Sequence, residues 1–133
     1  MTSVVVDTSA VMAIVRAESG ADWLSRRLQE SERRLMSSGT GFELGMVLES
    51  RTTTLTALDA IRSLQIEVLP FDEAQLELGV RAWRKFGKGR HPASLNFGDC
   101  FTYALAEVTD YPILCVGNDF TQTDLAVLTP PQT

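Results

Sequence analysis

Cysteine, histidine and long apolar runs are all scarce in this 133-residue chain. Its two cysteines, Cys100 and Cys115, both lie in apolar contexts with no secretion signal, so buried reduced thiols are expected rather than a disulfide framework. No apolar run approaches the length of a membrane span. Strand-like sequence begins by Val4, with no basic stretch or long apolar stretch before it, and a cytoplasmic location is expected. Repeats, low-complexity tracts and linkers are missing too. One domain covering 1–133 follows, large enough for a core of its own, with Thr129 to Thr133 expected to fray. The chain also lacks basic excess. A net charge of −5 argues at first against a nucleic-acid partner. The distribution says more than the sum. Arg81, Arg84, Lys85, Lys88 and Arg90 place five of the twelve basic residues within one short stretch, beside the single histidine, His91. A solvated helix face running into a loop explains that stripe as well as a binding role does.

What is present reads as alternating strands and helices. Val4-Val5-Val6 is a strand buried on both faces, the kind found inside parallel sheets. Helices are predicted over 10–17 and 21–32, with Trp23, Leu24 and Leu28 at helical spacing in the second. A short strand over 34–37 and a turn at Gly39-Thr40-Gly41 lead into a third helix with Leu44, Val47 and Leu48 buried. Leu55, Leu58, Ile61 and Leu64 mark a fourth helix, and 66–70 a strand ended by proline. Asp72 and Gln75 have capping-box spacing and open a helix through Phe86, its core face carrying Leu76, Val80 and Trp83. After a loop at 87–92, Asn96 caps a helix in which Cys100, Tyr103, Ala104 and Val108 have core spacing. Ile113 to Val116 and Val127-Leu128 are the last strands. This order predicts an α/β domain with a mainly parallel sheet of about five strands and helices on both faces.

Four acidic residues fall at equivalent points of this layout. Asp7 ends the first strand, Glu43 lies in the first turn of the third helix, Asp99 in the first turn of the helix after the basic loop, and Asp119 after the fourth strand. In a parallel sheet these positions converge on one edge, where open α/β sheets keep their ligand crevices. Each has a plain alternative: Asp7 as a helix cap, Glu43 as the partner in a Thr40 capping box, Asp99 at a helix dipole, Asp119 in a turn. None of those alternatives requires all four on one side. Clustered carboxylates repel, and a divalent cation removes the penalty. All-oxygen donors select magnesium or manganese over zinc.

Taken together, Val5-Val6-Asp7-Thr8-Ser9-Ala10, the Glu43 helix and His91-Pro92-Ala93-Ser94-Leu95-Asn96-Phe97-Gly98-Asp99-Cys100 with Tyr103-Ala104-Leu105-Ala106 resemble a PIN-domain ribonuclease. More narrowly, the chain resembles the VapC toxins of type II toxin–antitoxin pairs, Leu114 to Phe120 with Thr123-Asp124 being similar to their closing motif. The resemblance spans almost the whole chain. It implies that Asp7 and Asp99 hold Mg²⁺ (with Mn²⁺ as a substitute), that Glu43 is the third acid, and that Asp119 supports the site from its rim. Asn118 stands where relatives can carry an acid, which leaves the fourth position open between the two. Thr8 and Ser9 could offer donors to a phosphate, ordinary capping being their alternative. Lys88, Arg90 and His91 could hold the RNA backbone. The resemblance further implies a VapB-like antitoxin partner, a homodimer, and cleavage of transfer or ribosomal RNA that inhibits translation. Trp23, Leu24, Met46 and Leu55 are candidates for interface residues, with an equal claim to the core. Aspartyl phosphoryl chemistry fails on residues: Ser9 stands where a dehalogenase-type phosphatase needs a second aspartate, and no lysine follows Lys88 where a receiver domain needs one. A PIN-fold RNA- or protein-binding module without catalysis is the remaining alternative.

Overall fold

The structure is a computed structural model that describes residues 2–51 and 54–132. In chain order its elements are β1 (Val4–Val6), α1 (Thr8–Val15), α2 (Ala21–Glu30), β2 (Arg34–Ser37), α3 (Ser38–Ser50), α4 (Ala57–Ser63), β3 (Glu67–Leu69), α5 (Glu73–Phe86), α6 (Phe97–Thr109), β4 (Ile113–Leu114) and β5 (Val127–Leu128), with a 3₁₀ turn at Phe120–Gln122. The strands form one sheet in the order β3-β2-β1-β4-β5, every pairing parallel. The chain builds outward from β1 through β2 to β3, then returns to β1's other side for β4 and β5. That reversal makes the carboxyl end of β1 the topological switch point, and Asp7 is the next residue.

Alternation along the strands divides the core. Val4, Val6, Met36 and Leu114 pack with Leu24, Leu28, Leu44, Leu48 and Ile61 on one face. Val5, Leu35 and Ile113 pack with Ala82, Phe86, Leu95, Tyr103 and Leu105 on the other. Helices therefore cover both faces, as the sequence predicts. Both cysteines are free thiols, Cys115 buried and Cys100 half-buried. Among the described residues no helix is long and apolar enough to cross a membrane. In the closing segment Pro130 lies against Gly20; Thr133, like Met1, lies outside the described residues.

Several local expectations are corrected. Leu76, Val80 and Trp83 are 53%, 47% and 44% exposed, and the buried face of α5 is instead Gln75, Gly79, Ala82 and Phe86. Small residues at 79 and 82 let α5 lie close on α6, with the Cys100 carbonyl 3.7 Å from where a side chain at Gly79 would start. Val108 of α6 and Leu58 of α4 are exposed as well. α3 begins at Ser38, without the turn expected at 39–41, because the Ser37 hydroxyl accepts from Gly39 N at 3.2 Å. Glu43 thus belongs to the second turn and has no Thr40 capping box. Asp72 accepts from Gln75 N, but Gln75 turns its amide to the Pro70 carbonyl, so that box is only half formed. Leu24 is core, Trp23 and Leu55 pack on the core, and Met46 is exposed.

Candidate active site

The end of β1 runs straight into α1, and Asp7 caps that helix. Its Oδ2 accepts from Ser9 N at 3.1 Å and from Ser9 Oγ at 2.7 Å. The capping role is real, but it uses only one oxygen. Oδ1 accepts from Thr102 Oγ1 of α6 at 2.8 Å, a contact across 95 residues of chain. Asp7 is 5% exposed. Glu43 of α3 is half-buried, and its Oε1 accepts from Thr8 Oγ1 at 2.7 Å. Its other oxygen fills the space where a side chain at Gly98 would stand, so glycine at 98 leaves room for the Glu43 carboxylate against α6. Asp99 completes a reciprocal capping box: Asn96 Oδ1 accepts from Asp99 N, and Asp99 Oδ2 accepts from Asn96 N. It is 9% exposed. Asp119 is exposed on the loop after β4, ahead of the 3₁₀ turn, with no side-chain cap bond.

Electrostatics tie the four together. Burial pushes the Asp99 carboxyl up to about 7; the Asn96 N–H opposes this, and Asp7, Asp119 and Glu43 add to it. Glu43 is raised by burial, against the Thr8 bond, and again by Asp7. Burial and then Asp7, Asp119 and Asp99 drive the Cys115 thiol up to about 12, which puts that thiol beside the acids. No ion pair among the described residues reaches any of the four. Nor do any three His, Cys, Asp or Glu side chains among them already close on one point as metal ligands. The acids form a shared field, with lone pairs on Asp99 Oδ1 and Glu43 Oε2 that no side-chain hydrogen bond among the described residues takes.

Around the acids lies a set of hydroxyls whose role sequence patterns do not show. Thr40 and Thr102, both fully buried, meet at 3.0 Å. Ser9 Oγ accepts from Val116 N at 3.0 Å while donating to Asp7, which fastens the strand-end loop of β4 to the site. Thr8 and Ser9, candidates for phosphate donors, direct their hydroxyl protons at Glu43 and Asp7. Tyr103 donates to Asp124 at 2.6 Å, pinning the closing loop to α6.

The basic residues sit apart from this set. The Arg90 guanidinium stacks 4.1 Å from the Trp83 ring centre. His91 turns inward, its Nδ1 accepting from Ala93 N and its ring meeting Phe86 edge-on. Lys88 is exposed. No hydrogen bond or ion pair among the described residues joins these three to the acids. Arg81, Arg84 and Lys85 line a separate polar pocket with Tyr103, Glu107 and Asp124.

The model of the PIN domain family matches residues 4–125. Ribonuclease VapC42 of Mycobacterium tuberculosis (strain ATCC 25618 / H37Rv) is 41% identical over 125 residues, covering 91% of this chain and 95% of the relative. Among solved structures, Mycobacterium tuberculosis VapC20, described as a sarcin-ricin loop cleaving toxin, superposes with a TM-score of 0.73 at 17% identity, covering 96% of this chain and 99% of that one. A toxin–antitoxin complex from Klebsiella pneumoniae gives 0.69 at 14% identity, covering 98% and 99%.

Proposed function

This chain belongs to the PIN-domain family and to the VapC ribonucleases within it, and from that premise we propose that it is a metal-dependent endoribonuclease, the toxin of a toxin–antitoxin pair, acting on structured transfer or ribosomal RNA to stop translation. The observation that carries this is the field at the switch point: beyond burial, Asp7, Asp119 and Glu43 raise the proton affinity of Asp99 and Asp7 raises that of Glu43, and no ion pair among the described residues offsets them. An all-oxygen donor set with unused lone pairs fits Mg²⁺ or Mn²⁺. Asp7 and Asp99 would hold the ion, with Glu43 and Asp119 as the further acids of the site. A bound divalent ion supplies polarisation of the scissile phosphate, an activated water and neutralisation of charge in the displacement. Glu43, its proton affinity raised by burial, would accept the proton of the attacking water. Lys88 and Arg90 would meet the RNA backbone and so position it without reading sequence.

Two apolar surfaces support protein partners. Phe71, Leu76, Val80, Trp83, Phe97 and Phe101 line a groove of about 460 Å³ between α5 and α6. Phe42, Met46, Leu58, Ile61 and Val68 line another of about 480 Å³ between α3 and α4. Surfaces of this kind mark interaction sites on a single domain, and a VapB-like antitoxin and a second copy of this chain are the proposed occupants. Removal of divalent metal tests the enzymatic claim. Chelation is expected to abolish RNA cleavage and added Mg²⁺ to restore it; cleavage that persists in chelator would refute metal dependence.

A further inference from the structure

Asp7 can be a useful ligand only if it offers the same lone pair each time, and one α6 residue fixes which lone pair that is. A carboxylate has about four acceptor positions. Ser9 N and Ser9 Oγ take two on Oδ2, and Thr102 Oγ1 takes one on Oδ1. No other donor among the described residues reaches the carboxylate, so one remains, on Oδ1, beside the Thr102 bond. A buried threonine inside a helix commonly turns its hydroxyl back to the carbonyl four residues earlier. Thr102 does not; it reaches across to β1's end and to α3.

Proton counting gives the network a direction. A hydroxyl has a single proton, and Thr102 donates its own to Asp7. The 3.0 Å contact with Thr40 must then run from Thr40 to Thr102. Two buried hydroxyls thus form a chain that ends on Asp7, and each polarises the next. The geometry points to Thr102 as a positioning residue for Asp7, with Thr40 behind it: together they hold Oδ1 so that its last lone pair faces the cation site. This rests on the metal-dependent cleavage proposed above.

The experiment compares the wild-type protein with Thr102→Val, Thr102→Ser and Asp7→Asn. Valine keeps the volume and removes the hydroxyl; serine restores it; Thr102→Ala takes its place if the valine protein does not fold. Mn²⁺ affinity is measured by titration calorimetry, and kcat and KM for RNA cleavage are measured alongside. Loss of an outer partner of a ligand costs about 10- to 100-fold in metal affinity. That loss is expected for T102V, with kcat falling more than KM, and T102S should recover most of it. Wild-type Mn²⁺ affinity in T102V, while D7N has lost it, would overturn the positioning role and leave the nuclease intact. A wild-type protein that binds no Mn²⁺, or a D7N variant that binds it unchanged, would overturn both.

Discussion

At the scale of single residues, Asp99 carries a cost that the folded chain accepts. Its carboxyl ordinarily titrates near 3.8 and is pushed to about 7 by burial and by three other acids. In the unfolded chain the proton leaves first, so between those values the folded protein holds more protons and its stability falls as pH rises. The penalty is absent below about pH 4 and complete above about pH 7, on the order of a few kcal/mol. Asp99→Asn should therefore raise the melting temperature of metal-free protein at about pH 8, and the gain should vanish on titration to about pH 4. A pH-independent difference would mean that repulsion is not its source. The same residue shows how far sequence carries. The sequence marks Asn96 as a cap and Asp99 as a dipole partner or a ligand; the structure adds a reciprocal capping box, which is compatible with a ligand because it takes one oxygen and leaves the other. Thr102 announces nothing: it is one more residue in an apolar helix until the fold brings Asp7 beside it.

At the scale of elements, patterns located the strands and helices but not always which way they face. The β1 run was legible because burial on both faces leaves a continuous apolar stretch, and chain polarity alone then put Asp7 at the carboxyl edge. The sequence of α5 marks a helix but not the face it buries. Its apolar stripe is periodic, yet that stripe looks outward, and the core is served by Gly79 and Ala82, which periodicity does not score. In α3, the Thr-Gly-Phe-Glu spacing imitates a capping box one turn inside the true start at Ser37, which shifts Glu43 without removing it from the site. Close approach of α3 and α6 is what joins Glu43 to Asp99, and Gly39 permits it: a side chain there would enter the Phe101 ring, itself wedged against Phe71 and Phe97. Since that ring would have to leave its edge-on contacts with Phe71 and Phe97, Gly39→Ala should destabilise the protein by about 1–3 kcal/mol. The fall in Tm should be roughly 3–12 °C. An unchanged Tm would show that the two helices can separate freely.

At the scale of the whole molecule, an acidic protein is asked to take a polyanion at its most acidic point. The net charge of −5 and the four carboxylates, which no ion pair among the described residues reaches, both oppose RNA, and the metal dependence proposed above would lift that opposition. Under that proposal metal, substrate and fold are linked, and Asp7 stands at the junction: it follows the central strand, caps α1 and receives three donors from two helices. Asparagine at 7 is nearly the same size and keeps an acceptor for the Ser9 cap, so it removes charge with little disturbance of shape. The most direct measurement is cleavage of cellular RNA by purified wild-type and Asp7→Asn proteins in Mg²⁺, with cut ends mapped and folding checked by circular dichroism. The account predicts discrete new ends with the wild type and none with a fully folded Asp7→Asn. The same ends produced at the same rate by that variant would contradict it.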